Sequence, residues 1–311
     1  MRMHLFAVLS AGLAIAGCKK SSSGPTGGGG GGGGWLVGNA GLMINVHDDQ
    51  PVGTYDLGAT EQLDAIACRY QGEAWVVGEA GTLLYTNDGG ESWEAQVVPT
   101  TAHLRTLATQ DDGPVFIGGD GTFLVTNDTG ATWSSLGDGI TSFRSMAAAY
   151  ASSGVLALAD DGGLWKYDAG TLTLQTTLPG ARAVNQSATG QLVMTAGTGI
   201  LRSIDGGTTF DALTVDPSVV FDDIRINDDG SAVAVGANGA IANIDASGAV
   251  SLQYVGTSTL HTLHVGEEAV GYAAGEDGQV LITHDAGLTW QIGPNVGRTV
   301  LGVDDIGFGH R

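Results

Sequence analysis

The sequence predicts an all-β fold, a seven-bladed β-propeller with four-stranded antiparallel blades. The stretch Trp75–Trp93 recurs at Val115–Trp133 and at Tyr272–Trp290, and more loosely at Val193–Phe210. Seven copies, spaced by 40, 40, 41, 37, 40 and 39 residues, can be aligned on the small residue that ends the second strand of each: Gly38, Gly78, Gly118, Ala159, Ala196, Gly236 and Gly275. Units of about 40 residues made of short strands are typical of a propeller. A helical solenoid is excluded, since no copy has a 3.6-residue apolar period.

Each copy contains four short apolar runs separated by turn residues. In the second copy these runs are Leu63–Cys68, Ala74–Gly78, Thr82–Thr86 and Ser92–Val97. Glycine and acidic residues at each junction indicate tight hairpins between neighbouring runs. One copy therefore predicts one four-stranded blade.

The two ends of the repeat region predict how the ring closes. The region starts at Trp35–Gly38, which corresponds to a second run, and it ends at Arg298–Val303, which resembles a first run. We expect these two runs to pair in one composite blade, because closure removes an exposed sheet edge. Deleting the last dozen residues is then expected to open the ring and destabilise the whole propeller.

The composition is strongly acidic. The chain of 311 residues has 12 Lys and Arg against 33 Asp and Glu, a formal charge of -21. Affinity for nucleic acid needs clustered cations, so no nucleic-acid partner is expected. We expect a monomer without a cofactor.

Residues 1–18 are interpreted as a signal peptide that ends at a lipidated cysteine. A basic start is followed by an apolar run, Leu5–Ile15, which is too short to span a bilayer as a helix. The sequence Ile15-Ala16-Gly17-Cys18 resembles the bacterial lipobox, in which the cysteine becomes the acylated first residue. The alternative is an ordinary secretory signal with a chance cysteine at this place.

A flexible tether and a globular head follow the signal. Residues 19–34 are rich in Gly and Ser and are expected to behave as a flexible coil, and residues 35–311 form the propeller. Lys19 after the cysteine favours the outer membrane by resemblance to lipoprotein sorting, at its periplasmic or surface face. Cys68 would then be left without a disulfide partner, and its apolar neighbours indicate a buried position.

Four copies carry a Ser/Thr-x-Asp-x-Gly-x-Ser/Thr-Trp/Phe motif that resembles the Asp-box, or BNR repeat. The four are Thr86–Trp93, Thr126–Trp133, Ser203–Phe210 and Thr283–Trp290. The Asp side chain can accept hydrogen bonds from the following turn, while Gly adopts the left-handed conformation. Sialidases contain Asp-boxes, but the arginine cluster and the tyrosine and carboxylate pair that they need are not recognisable here. We therefore interpret the motif as structural.

The sequence offers no metal site. Acidic doublets occur at Asp111-Asp112, Asp160-Asp161, Asp228-Asp229 and Glu267-Glu268, and turn chemistry explains them. No calcium-binding loop is present. His261 and His264 lie on one strand without a third ligand in register, so zinc is not expected.

Basic residues recur at one position of the first run. Arg105, Arg144 and Arg182 occupy it in three successive copies, His261 in the seventh, and Arg298 is a further candidate. Because first runs lie nearest the axis of a propeller, these side chains would converge at the central opening. Guanidinium groups bind carboxylates well, which predicts a site for a protein or acidic peptide. Alternatively, each arginine pairs with a neighbouring acid, such as Asp64 or Asp222, as part of propeller packing.

The repeat consensus, L-R-x-L followed by W-x-V-G-x-x-G-x-L-x-x-T-x-D-G-G-x-S/T-W, resembles that of the photosystem II stability/assembly factor-like propellers. It covers nearly all of residues 35 to 303. The resemblance implies seven blades, export or lipidation, and arginines at the first-run position. It also implies a non-catalytic assembly factor that binds a membrane-protein partner.

Two functions are therefore carried forward. The first is a lipid-anchored, non-enzymatic propeller that docks a protein in the cell envelope through its axial face. The second is an Asp-box glycan-binding protein or glycosidase. The second would need aromatic side chains at the mouth of the propeller, whereas Trp35, Trp75 and Trp165 occupy strand positions and the other tryptophans belong to the Asp-boxes.

Overall fold

The computed structural model describes residues 33–47, 50–54, 60–69, 72–110, 113–136, 140, 142–148, 154–266 and 269–305. These residues form seven four-stranded antiparallel sheets, and the predicted seven-bladed propeller is confirmed. The predicted signal peptide with Cys18, and the predicted tether up to residue 32, lie outside the described residues. Within the described residues, none of the helices has the length and apolar character needed to span a membrane.

Blade 1 combines strands from both ends of the chain. It consists of β28 (Val300–Asp305), β1 (Gly33–Gly38), β2 (Leu42–His47) and β3 (Gln50–Thr54), in that order from the axis outwards. The predicted composite blade is thus confirmed. β1 begins two residues before the predicted start of the propeller, because Gly33 and Gly34 pair with His47 and Val46.

The other six blades follow in chain order, each with its first strand innermost. Their strands are β4 (Leu63–Arg69), β5 (Glu73–Gly78), β6 (Leu83–Thr86) and β7 (Glu94–Ala95) in blade 2; β8 (Leu104–Thr109), β9 (Val115–Gly119), β10 (Thr122–Thr126) and β11 (Ser134–Leu136) in blade 3; β12 (Phe143–Ala148), β13 (Val155–Ala159), β14 (Gly163–Asp168) and β15 (Thr171–Thr177) in blade 4; β16 (Ala181–Gln186), β17 (Leu192–Ala196), β18 (Gly199–Ser203) and β19 (Asp211–Leu213) in blade 5; β20 (Phe221–Ile226), β21 (Ala232–Gly236), β22 (Ala240–Ile244) and β23 (Val250–Tyr254) in blade 6; and β24 (Leu260–Val265), β25 (Gly271–Gly275), β26 (Val280–Thr283) and β27 (Gln291–Ile292) in blade 7.

The innermost strands form the wall around the axis. Each first strand contacts the first strands of its two neighbours, and β28 contacts both β24 and β4, which closes the ring. The predicted placement of first runs at the axis is therefore correct.

The hydrophobic core is divided into layers between adjacent blades. One layer joins blades 7 and 1, where fully buried Leu36 and Val300 pack with Tyr272. Another joins blades 2 and 3 around Trp75 and Ile117. β28 contributes Val300 and Val303 to the layer between blades 7 and 1.

The outer strands of the Asp-box blades are shorter than the sequence suggests. β7 covers only Glu94–Ala95, whereas the predicted run was Ser92–Val97. Ser92 belongs to the turn, because its backbone N–H and its hydroxyl both donate to the Asp88 carboxylate. Trp93 is buried beneath this turn.

Candidate functional site

The first strand of every blade contains a β-bulge near its start. One residue of that strand is left out of the pairing with the second strand, and we call this place the bulge position. From blade 1 to blade 7 it is occupied by Leu301, Asp64, Arg105, Arg144, Arg182, Asp222 and His261. A bulge bends its strand and re-aims a side chain, so this position differs from the paired positions beside it.

The bulges correct two parts of the sequence alignment. In blade 1 the bulge position holds Leu301, so Arg298 is not the counterpart of the other arginines. Arg298 lies two residues before β28 and donates to the carbonyl of Ala40. In blade 3 the counterpart of Gly38 is Gly119 and not Gly118, because Leu104 pairs with Gly119.

A recurring backbone hydrogen bond brings the turn after the second strand next to the bulge position. In all seven blades the first residue after that strand donates its N–H to the carbonyl of the residue that precedes the first strand. In blade 3 the bond joins Asp120 to His103, at 2.9 Å, and in blade 4 it joins Asp160 to Ser142, at 3.0 Å. Asp120 and Asp160 are thus placed beside Arg105 and Arg144.

Arg105 is held by one carboxylate that contacts two nitrogens along one edge of its guanidinium group. Its Nε lies 2.6 Å from Asp120 Oδ1, and its Nη2 lies 3.3 Å from Asp120 Oδ2. The hydroxyl of Ser142 donates to the same carboxylate at 2.9 Å. The hydrogen bond with Asp120 raises the pKa of Arg105, and the same bond holds the pKa of Asp120 below its usual range. Arg105 is therefore fixed in orientation.

Arg182 is held from the next blade. Its Nη2 lies 2.9 Å from Asp222 Oδ1, and His261 Nδ1 lies 3.0 Å from the other oxygen of Asp222. Burial opposes ionisation of Asp222, but the hydrogen bond with His261 and the charge of Arg182 outweigh it, and the pKa stays below its usual range. Three bulge positions are thus linked through one carboxylate. The Nε of Arg182 is buried without a hydrogen-bond partner among the described residues.

Arg144, between these two, is the least engaged of the three. Its Nη1 lies 3.6 Å from Asp160 Oδ1, which is beyond hydrogen-bond distance. Burial lowers the pKa of Arg144, and the charges of Arg182 and Arg105 act in the same direction. About a third of its side chain is exposed (33%). The middle cation is thus poorly compensated, and its side chain is partly exposed.

Histidine-bound acids flank the arginine row, which we define as Arg105, Arg144 and Arg182. On one side Asp222 contacts His261, and on the other Asp64 contacts His103 at 2.7 Å. The pairing of an arginine with Asp222 is thus confirmed, whereas Asp64 pairs with a histidine and a glutamine instead of an arginine. The row lies on the innermost strands of three adjacent blades, and the other four bulge positions hold Asp222, His261, Leu301 and Asp64.

The sequence predicted the three arginines of the row but not the acids that lie beside Arg105 and Arg144. Asp120 and Asp160 directly follow the second strand in the two copies that carry Arg105 and Arg144. In the next copy Gly197 stands at that place, and there the arginine takes its partner from blade 6. An acid directly after the second strand thus accompanies Arg105 and Arg144 and is absent from the copy that contains Arg182. This difference between copies was the sequence signal that could have identified the two acids.

The Asp-boxes have the geometry expected of structural turns. In blade 3, Thr126 and Thr132 donate their hydroxyls to Asp128, and the N–H of Thr132 donates to the same carboxylate. The same bonds recur at Asp88, Asp205 and Asp285. Each box lies between the third and the outer strand, away from the axis.

The acidic doublets that the structure describes are only partly explained by turns. Asp161 accepts the N–H of Gly163, and Asp229 accepts the N–H of Ser231, as turn chemistry predicts. Asp160 instead faces Arg144. The doublets at 111–112 and 267–268 lie outside the described residues. Elsewhere in the described part of the chain, no group of three or more potential ligands could hold a metal ion.

Comparison with known proteins agrees with the sequence resemblance. The family model of photosynthesis system II assembly factor YCF48 matches residues 44–140. The chain is similar to YCF48. The resemblance to assembly-factor-like propellers is thereby confirmed for these residues, which cover the part of blade 1 after β1, blade 2 and blade 3. No curated protein matches the chain.

Solved structures with the same fold include YCF48 proteins. The chain superposes on a structure described as YCF48 bound to D1 peptide with a TM-score of 0.61 and 22% identity, over 74% of this chain and 80% of that one. For YCF48 from Cyanidioschyzon merolae the TM-score is 0.62, at 16% identity, over 77% and 87% of the two chains. Virginiamycin B lyase from Staphylococcus aureus gives a TM-score of 0.63 at 14% identity, over 75% and 84%. At these identities the likeness establishes the fold alone.

Proposed function

We propose that this chain is a non-catalytic, lipid-anchored propeller of the cell envelope that docks a membrane-protein partner through its arginine row. The observation that carries the proposal is the placement of three guanidinium groups at the bulge positions of successive blades 3, 4 and 5. The YCF48 structure with a bound D1 peptide supports peptide binding by a propeller of this kind. Acyl chains on Cys18 would hold the head near a membrane partner.

Carboxylate recognition fits the chemistry of the row. Guanidinium groups offer planar pairs of N–H donors that match a carboxylate, and charge-assisted bonds of this type are roughly twice as strong as neutral ones. The chain is otherwise acidic, with a formal charge of -21, so an acidic partner would be repelled by most of the surface. Binding should therefore be confined to this cationic sector.

The glycan-binding alternative has less support from the described aromatic residues. Trp35, Trp75, Trp93 and Trp290 are at most 7% exposed and pack within or between blades. A sugar would need an exposed aromatic face on which to stack, and these four rings do not provide one. We therefore place docking of a protein ahead of glycan binding.

The proposal is tested by affinity capture from solubilised membranes. The native chain and the Arg202→Ala variant are expected to retain the same partner, since Arg202 lies on β18 and bonds to Gln191 away from the row. The Arg105→Ala/Arg144→Ala/Arg182→Ala variant is expected to lose it while still folded. A Cys18→Ser variant should be missing from the membrane fraction.

Two results would contradict the proposal. Retention of the partner by the folded triple variant would remove the arginine row as the site. Capture of no protein by the native chain, with specific binding on a glycan array, would favour the glycan-binding alternative.

A further inference from the structure

The three arginines of the row are not equivalent. Arg105 makes two hydrogen bonds to Asp120, and Arg182 contacts Asp222 at 2.9 Å. Arg144 has a carboxylate at 3.6 Å, which is close enough for attraction and too far for a hydrogen bond. The outer two guanidinium groups are thus each engaged closely by a carboxylate of this chain, and the middle one is the strongest candidate to bind a carboxylate from outside.

The carboxylate beside Arg144 has no structural task that the described residues reveal. Asp160 is held through its backbone, whose N–H donates to Ser142. Its neighbour Asp161 supports the turn by accepting the N–H of Gly163 at 2.9 Å, whereas no hydrogen bond of the Asp160 side chain is found within the described residues. The Asp160 side chain is 46% exposed and can move away from Arg144 without breaking the turn.

We propose that Asp160 is an internal competitor for the carboxylate that Arg144 binds, and therefore sets the affinity of the docking site. This inference rests on the proposed function. An incoming carboxylate would form paired hydrogen bonds with the Arg144 guanidinium and displace Asp160 from its looser position. Asp160 would still repel the incoming anion, so it would weaken binding and raise the selectivity for ligands that bond in the paired geometry.

The surroundings of Arg144 agree with this role. Its two cationic neighbours and its burial lower the pKa of Arg144, so that a closely bonded anion stabilises its charged form more than the distant Asp160 does. Blade 3 offers a built-in comparison, because Asp120 bonds closely to Arg105 and is fixed by Ser142. Asp120 thus holds Arg105 in position, whereas Asp160 can be displaced from Arg144 by an incoming carboxylate.

The test compares two neighbouring acids that carry the same charge. Isothermal titration with N-acetyl-tetraglutamate is carried out on the native chain and on the Asp160→Asn and Asp161→Asn variants. Both variants remove one negative charge at nearly the same place, but only Asp160 faces Arg144. Because exposed ion pairs contribute modestly, we expect Asp160→Asn to bind about two- to five-fold more tightly than Asp161→Asn. In the Arg144→Ala background this difference should vanish.

The outcomes separate this inference from the function on which it rests. Equal affinities of Asp160→Asn and Asp161→Asn, or weaker binding by Asp160→Asn, would overturn the competitor role. If the native chain still bound the peptide and Arg144→Ala did not, the docking site would stand. Absence of binding by every variant, each with native-like thermal unfolding, would overturn both.

Discussion

At the scale of single residues, the carboxylates of the Asp-boxes are held by several hydrogen bonds each. Asp128 and Asp205 each accept from two hydroxyls and one backbone N–H. Hydrogen bonds with Thr126 and Thr132 lower the pKa of Asp128 from 3.8 to about 2, and bonds with Thr209 and Ser203 do the same for Asp205. These hydrogen bonds therefore favour the ionised form of both acids.

The lowered pKa values predict an acid-sensitive contribution to stability. A carboxyl group with a lowered pKa in the folded state stabilises that state above its unfolded-state pKa, and the contribution is lost as the pH falls through the folded-state value. For Asp128 and Asp205 this window runs from about pH 4 down to about pH 2. We expect Asp128→Asn/Asp205→Asn to be less stable than native at pH 6, with the difference shrinking towards pH 2.

Thermal unfolding across pH checks this prediction. Asp211→Asn serves as the control, since Asp211 is an exposed residue of an outer strand without an Asp-box role. Its unfolding temperature should follow that of the native chain at every pH. A constant difference between the double variant and the native chain from pH 6 to pH 2 would show that ionisation of these acids is not what supports the turns.

At the scale of strands and turns, the bulge decides which residue of each innermost strand is left out of the pairing with the second strand. The repeat pattern predicted the blades, because small residues and Asp-boxes recur at a nearly constant spacing. The pattern failed at Arg298, because Gly297-Arg298-Thr299-Val300 matches Leu104-Arg105-Thr106-Leu107 at the arginine, the threonine and the apolar fourth residue. The hydrophobic residues Val300 and Val303 match Leu104 and Leu107, and this match would have placed Leu301 at the bulge position.

In blade 3 the repeat spacing predicted that Gly118 ends the second strand, whereas the strand ends at Gly119. Gly118 and Gly119 are adjacent, so spacing alone could not choose between them. The backbone decides, because a Cβ added at Gly119 would lie 2.1 Å from the carbonyl oxygen of His103. The acids beside the arginines could not be read from the repeat consensus, since the position after the second strand is acidic in four copies and only Asp120 and Asp160 lie beside an arginine of the row.

This close approach predicts that Gly119→Ala destabilises blade 3. The added Cβ must push the Asp120 turn away from His103, and such overpacking costs about 1–3 kcal/mol. Gly199→Ala is the matched control, because the nearest atom to its Cβ would be the Ala196 carbonyl oxygen at 3.5 Å. Urea unfolding measures both variants. Equal midpoints for the two would contradict the close approach at Gly119.

At the scale of the whole molecule, the ring brings together side chains that are about 40 residues apart in sequence. Each blade contributes one bulge residue from its innermost strand, and the arginines of blades 3 to 5 occupy this position in three adjacent blades. Closure through β28 holds the ring together, because Val300 and Val303 are buried between blades. A rigid ring of this kind keeps the row ordered before a ligand arrives, which lowers the entropic cost of binding.

The most direct test of the account observes the arginine side chains while a carboxylate ligand is added. The Nε–Hε signals of the isotopically labelled native chain are followed by nuclear magnetic resonance during titration with N-acetyl-tetraglutamate. Arg144 is expected to shift most, Arg105 and Arg182 less, and Arg202 not at all. Saturable shifts at Arg202, or an unchanged Arg144 signal in the presence of bound peptide, would contradict the claim that the arginine row is the docking site.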